Sequence, residues 1–336
     1  MSQRTSRAGG FRRREIIGGL SIFTFPRHLV MAAQSPNPVV GLLNGGSPDL
    51  FQDRLTSINR GMAEAGFIDG RNFTLVSLWA DGRYDRLPGL AAELVAKGVA
   101  VIVATGGGAA AAAAKRATTK VPIVFVLGTD PVQAGLVNSL SRPGGNATGV
   151  SVLSGTLAPK RLELLREMLP RVDLIALLIN PAGAVAAIDQ KYTQDAANVF
   201  GQRLLILEAG SYQDLEVAFE AIRREKADAL VVGSDGWFTD NRVRLTSLAA
   251  RDKVPTIYHD RAFTRAGGLV SYGASLGDGY RLAGNYVGRI LNGANPAELP
   301  VQYPTVFEFV INLKAAAVLG LTVPRLMLAR ADVVIE

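Results

Sequence analysis

Val99-Ala100-Val101-Ile102-Val103-Ala104-Thr105-Gly106-Gly107-Gly108, running directly into the alanines of 109–114, is the stretch on which the fold turns. A short, β-branched apolar run ends in a hydroxyl and three glycines, and the strongest helix former follows. That order reads as strand, tight turn, helix. The same grammar stands upstream. Val39–Leu43 reads as a strand, Asn44-Gly45-Gly46-Ser47-Pro48-Asp49 as its turn, and 51–65 as a helix with apolar positions at Leu55, Ile58 and Met62. Phe73–Trp79 is a strand, and 87–96 a helix that tolerates Pro88 in its first turn. Ile123–Leu127 is a strand closing in Gly128-Thr129-Asp130-Pro131; a short helix is predicted over 131–140 and a strand over 148–153. Alternating units of this kind predict a parallel sheet with helices on both faces.

The pattern then restarts. Strands are predicted at 174–179, 204–207, 229–232, 256–258 and 269–272, with helices at 190–200, 212–224, 241–251 and 277–291. Two series of similar length in a chain of 336 residues, 48% hydrophobic, predict an α/β protein of two Rossmann-like lobes.

The formal net charge of +7 resides mostly in one place. Arg4, Arg7, Arg12, Arg13, Arg14 and Arg27 precede Gln34, against the single acid Glu15, and removing them leaves 30 basic and 28 acidic residues. A body so nearly neutral argues against a nucleic-acid partner. Residues 1–34 read as a signal peptide: Arg12-Arg13-Arg14-Glu15, an apolar run over 16–25, and Met31-Ala32-Ala33-Gln34 for cleavage. Ten residues of helix span roughly 15 Å, about half a hydrocarbon core, so this is a signal rather than an anchor. The paired arginines resemble a twin-arginine signal, with general secretion as the alternative. The chain has no cysteine, which excludes disulfides, thiolate chemistry and a lipid-modified cysteine. Its two histidines, His28 and His259, leave little for an imidazole metal site, and neither metal nor cofactor is expected.

In open α/β sheets ligands lie beyond the carboxyl ends of the strands. The residues there are small, polar or aromatic: Asn44, Gly46 and Ser47; Thr105 and Gly106; Thr129 and Asp130; Asn180; Asp235 and Trp237; Tyr258. Glycines let backbone N–H groups approach a ligand, and each following helix directs its positive end to the same space. Such termini hold a carboxylate without lysine or arginine, and Asp130, Asp235 or Asp260 then accepts from an amine or hydroxyl. Trp237, Tyr258 and Trp79 offer flat walls. Asp49, Asp130 and Asp235 serve equally well as caps or turn formers, and Trp237 as packing. Gly106, Gly108 and Ala111 also satisfy G-x-G-x-x-A, with Asp130 about twenty residues on, the outline of a dinucleotide site. It falls on the third strand, and no Tyr-x-x-x-Lys pair accompanies it. A nicotinamide oxidoreductase is therefore the lesser alternative.

Ordered blocks tie the chain to a known family. Val39–Ser47, Asp130-Pro131-Val132, Gly135-Leu136-Val137, Arg142-Pro143-Gly144-Gly145-Asn146, Lys160–Leu165, Ser271-Tyr272-Gly273 and Val310-Ile311-Asn312-Leu313-Lys314 resemble the ABC-transporter substrate-binding proteins of the tryptophan/tyrosine type. The resemblance runs over 38–336. It implies a type I periplasmic binding protein fold, its lobes joined by three crossings and its ligand in the cleft. The lobes are expected at 38–153 plus about 274–300, and at 154–273 plus about 301–336. It implies a periplasmic monomer, not an enzyme, that carries a small amino-acid-like or aromatic carboxylate to a membrane ABC permease and, through it, to the ATPase. The cleft residues it implies are the eleven above, from Asn44 to Tyr258. A ligand-sensing module for a membrane signalling partner is the alternative within the same fold.

Overall fold

In the computed structural model residues 37–152 and 154–336 are described, so the signal-peptide reading of 1–34 lies outside the described residues. The first series forms β1 (Val39–Asn44), α1 (Gln52–Glu64), β2 (Thr74–Trp79), α2 (Leu87–Ala96), β3 (Val101–Thr105), α3 (Gly108–Ala117), β4 (Ile123–Leu127) and β5 (Ala147–Ser151). Its strands pair in the order β2-β1-β3-β4-β5, all parallel. The second forms α4 (Ala158–Met168), β6 (Leu174–Ile179), α5 (Ala186–Phe200), β7 (Arg203–Glu208), α6 (Tyr212–Glu225) and β8 (Ala229–Val232). It continues with α7 (Gly236–Asp240), α8 (Arg242–Arg251), β9 (Thr256–Tyr258), α9 (Arg261–Arg265) and β10 (Val270–Ala274). After α10 (Leu276–Leu291) come β11 (Phe307–Asn312), α11 (Leu313–Val318), α12 (Arg325–Arg330) and β12 (Val333–Ile335). This sheet is ordered β12-β11-β10-β9-β8-β6-β7.

Two expectations are corrected. Residues 131–140 make turns rather than a helix. Asp130 Oδ1 accepts from the N–H groups of Val132 (2.7 Å) and Gln133 (3.3 Å), and Gly135, at φ +67°, stops any helix after one turn. The second sheet is not wholly parallel: β11 runs antiparallel to β10. The chain reaches β11 from the first lobe, so it enters the second sheet at the cleft end and must run down it.

Each sheet is buried on both faces. Leu43, Ile102, Ala104 and Phe125 face α2 and α3, while Val40, Leu42, Val103 and Val124 face α1 and α10. The alanine run is a packing device: Ala110, Ala111, Ala113 and Ala114 are buried beside Leu87, Ala91 and Leu94 of α2, where small side chains let the two helices share one sheet face. The second lobe is built alike, with Ile175, Leu177 and Val231 on one face and Ala176, Leu178, Leu230 and Val232 on the other.

Although α10 follows β10 of the second sheet, it packs on the first through Tyr280, Ala283, Tyr286 and Val287. The chain then crosses back between Gln302, which bridges to Val150, and Phe307. With the passage after β5 this makes three crossings. The contact between α10 and α1 is set by glycine. A Cβ on Gly61 would lie 1.8 Å from the Arg281 carbonyl oxygen, and one on Gly284 2.0 Å from that of Ile58. Gly61→Val is therefore expected to cost about 1–3 kcal/mol in urea denaturation, by forcing two backbones apart. Gly89→Ala, with open space around it, is expected to raise stability by about 0.5–1 kcal/mol.

Candidate functional site

The carboxyl ends of the two sheets face each other across a cavity. On the first-lobe side it is lined by the start of α3, Gly106 to Ala109, together with Leu127 and Gly128. Gly106 (φ +75°) and Gly107 (φ +119°) take positive-φ conformations that favour glycine and turn the chain so that the α3 N-terminus faces the cavity. Across from it stand Ala184 and Val185, which lead into α5, and Ser234, Asp235 and Gly236, which lead into α7. The approach is close: a Cβ on Gly108 would lie 3.2 Å from the Ala184 Cβ, and one on Gly236 3.2 Å from the Gly106 carbonyl oxygen. Tyr84, Tyr280, Arg54 and His259 also line it, beside apolar residues that include Val126, Val152 and Leu276.

Charge is arranged asymmetrically. At the start of α3 the Ala110 N–H donates to the Gly107 carbonyl oxygen at 3.3 Å, while the N–H groups of Gly108 and Ala109 have no acceptor within the helix, so that end is electropositive without carrying a cation. Arg54 is already engaged, its Nη2 2.9 Å from Asp260 Oδ2 in the other lobe, with the guanidinium over the Tyr280 ring at 5.7 Å. His259 is neutral, because burial pushes its pKa down to about 3; its Nε2 lies 3.1 Å from the Thr239 hydroxyl. Asp235 is the contrary case. Burial pushes its carboxyl up from the ordinary range, and the groups that oppose this are neutral donors: the Asn180 amide at 2.8 Å and the backbone at Gly236, Trp237 and Phe238. A carboxylate thus opens on the cavity without a cationic partner among the described residues.

The eleven residues predicted from sequence divide into groups. Gly106 and Asp235 line the cavity. Asn180 holds Asp235, and Asn44, Thr105 and Thr129 stand one layer back. Asn44 donates to the Thr105 hydroxyl (2.8 Å) and accepts from the Gly46 N–H (2.7 Å), which braces the glycine turn. The Thr129 side chain is buried, and its carbonyl accepts from the Ser151 hydroxyl at 2.7 Å. Gly46, Ser47 and Trp237 lie at the seam between the lobes; the indole of Trp237 stands 3.2 Å from where a Cβ on Gly82 would be. Asp130 caps its own turn. Tyr258 is buried in the second lobe, stacked on Phe263 at 4.5 Å, and Trp79 packs edge-on against Phe51 at 5.3 Å. Neither ring lines the cavity. Tyr84, Tyr280, Arg54 and Ser154 escaped the sequence reading, since none stands where a strand passes directly into a glycine turn.

Below the cavity Arg161 and Asp189 form an ion pair that is 0% and 1% exposed. Arg161 Nη2 donates to the Ser154 carbonyl (3.1 Å) and the Ser234 hydroxyl (3.2 Å), while Asp189 accepts from the Ser234 N–H. The pair therefore fixes two cavity-lining serines, one at a crossing and one ahead of α7.

Two lobes hinged by three crossings, with a cavity between their strand ends, define a two-lobed binding protein of the type I periplasmic binding fold. Residues 47–335 match the family model for ABC transporter substrate binding proteins, and the chain belongs to that family. A tyrosine-binding protein of Clostridioides difficile (strain R20291) is 26% identical over 277 residues, 81% of this chain and 79% of its own. A conserved domain protein from Vibrio cholerae superimposes with a TM-score of 0.82 at 28% identity, over 89% of this chain and 99% of that one. The ABC domain from Streptococcus pneumonia in complex with L-Trp does so with a TM-score of 0.80 at 27% identity, over 89% of this chain and 100% of that one.

Removing the charge of Asp189 leaves a guanidinium buried without its counter-ion. Asp189→Asn is expected to lower stability by about 3–5 kcal/mol in urea denaturation, and the double replacement Arg161→Met with Asp189→Leu to recover most of that loss.

Proposed function

We propose that this chain is the exported solute-binding component of an ABC importer, taking a zwitterionic aromatic amino acid into the cleft and delivering it unchanged to the permease. The observation that carries the reading is Asp235: a cavity-lining carboxylate met only by neutral donors, opposite the uncharged but electropositive start of α3. An α-amino acid supplies both missing charges, its ammonium to Asp235 and its carboxylate to the N–H groups of Gly107, Gly108 and Ala109. Asp235 keeps its capping role and gains the ammonium at its remaining lone pairs. Tyr84 and Tyr280 supply aromatic surface for a ring. The tryptophan and tyrosine named for two relatives agree with that chemistry.

The cycle is physical rather than chemical. Ligand bridges the lobes, closure excludes water and strengthens each polar contact, and the closed form is the one delivered. Among the described residues no helix is long and apolar enough to cross a membrane. The arginine-rich stretch ahead of Gln34 supports a periplasmic location for this carrier.

Isothermal titration of the purified protein with L-tryptophan and L-tyrosine, beside tryptamine and indole-3-propionate, tests the pairing of charges. The amino acids are expected to bind near the micromolar range, about −8 kcal/mol. Each analogue lacking one charge, and Asp235→Asn with the intact amino acid, is expected to lose about 2–5 kcal/mol, thirtyfold or more. Binding of sugars with no response to amino acids overturns the reading, as does turnover of the bound ligand.

A further inference from the structure

A second acidic side chain behaves differently from Asp235. Asp240 ends α7 in the second lobe and reaches the first. Its Oδ2 lies 2.1 Å from where a Cβ on Gly46 would be, and the Ser47 N–H donates to its carboxylate. A side chain at 46 would push the carboxylate from this position. The cations nearby are committed elsewhere: Arg54 to Asp260, and Arg242 to the Thr239 carbonyl oxygen at 3.0 Å. Closing the cleft therefore carries Asp240 out of water and against the backbone of the opposite lobe, with one N–H and no ion pair in exchange.

We propose that Asp240 is a proton-operated latch between the lobes: closure takes up a proton at this carboxylate, so mild acid favours the closed, ligand-retaining form. A protonated carboxyl enters the seam without the cost of desolvating a charge. Burial at this seam pushes Asp240 up to about 6 from 3.8, against the opposing pull of Arg54, the Ser47 N–H and Arg242, with the charge of Asp235 adding to the rise. The sign follows from linkage. A group whose pKa is higher in the closed form favours closure below that value, and the advantage fades as pH rises through 6.

Of the other carboxyl groups facing this seam, Asp235 alone shifts in the same direction. Asp260 is held below the ordinary range by Arg54 and its own capping contact, against burial. Burial raises Tyr84 and Tyr280, which stay neutral, and His259 is neutral above about 3. Asp235 is raised by burial as well, so the experiment has to separate it from Asp240.

The chain has no cysteine, so Lys97→Cys on the first lobe and Val199→Cys on the second accept spin labels cleanly. The distance distribution between them, measured without added ligand from pH 7.5 to 5, reads the closed population independently of which ligand the cleft takes. The closed-to-open ratio is expected to rise at least about tenfold over that range, the factor given by a shift from 3.8 to about 6. Asp240→Asn is expected to abolish the rise centred near pH 6, and Asp235→Asn to keep it; Asp240→Ser replaces the asparagine variant if that fails to fold. A closed population that does not grow on acidification overturns the proposal, as does an equal rise in the folded Asp240 variant.

Discussion

The chemistry of the cleft turns on the cost of drawing a carboxylate partly out of water. Asp235 stands at that place, raised by burial and met by the Asn180 amide and backbone N–H groups alone. An ion pair from the protein would satisfy it permanently and leave nothing for a guest to do. A buried charge paired only by neutral donors is instead a standing demand for a cation. The start of α3, across the cavity, makes the opposite demand. Two incomplete electrostatic environments facing one another define a guest with two charges.

That arrangement needs the lobes to come very near without fusing. Glycine makes this possible at Gly46, Gly108 and Gly236, where an added Cβ would meet the opposite lobe. The contacts across the seam include two ion pairs, Arg54 with Asp260 and Arg265 with Asp53, the carboxylate of Asp240 against the backbone at Gly46 and Ser47, and the close approaches of Trp237 to Gly82 and of Ala184 to Gly108. The large apolar clusters lie within the lobes. Stability is thus stored inside each lobe, while the seam holds only interactions that a ligand or a proton can tip. The ion pair of Arg161 and Asp189 belongs to the first group, since it locks Ser154 and Ser234 in place whichever state the seam adopts.

Much of the fold is legible in the residues because the signal repeats. Val39–Asn44 and Val101–Thr105 are apolar strands ending in glycine turns, and both are parallel strands whose turns face the cleft. The tail after 300 is less legible, since β11, α11, α12 and β12 are short and draw their order from packing on β10 rather than from their own periodicity. In the cleft, the strand-end rule finds Gly106 and Asp235 directly. It also gathers Asn44, Thr105 and Asn180, whose side chains are spent on bracing the turns that carry the site. Tyr84 and Tyr280 lie on a turn and on a helix that reach the cavity only through tertiary packing, and no local pattern marks them. Tyr258 obeys the local rule yet points into the core, because a three-residue strand does not reveal which way its last side chain faces.

The central claim concerns where two charges of a guest lie. The most direct measurement is a crystal structure of the protein purified from its own host, with whatever occupies the cleft left in place. The account predicts density for one zwitterion, its ammonium nitrogen within hydrogen-bonding distance of Asp235 and its carboxylate on the N–H groups at the start of α3. A neutral or purely anionic guest there, or density for the guest outside the seam between the lobes, would contradict it.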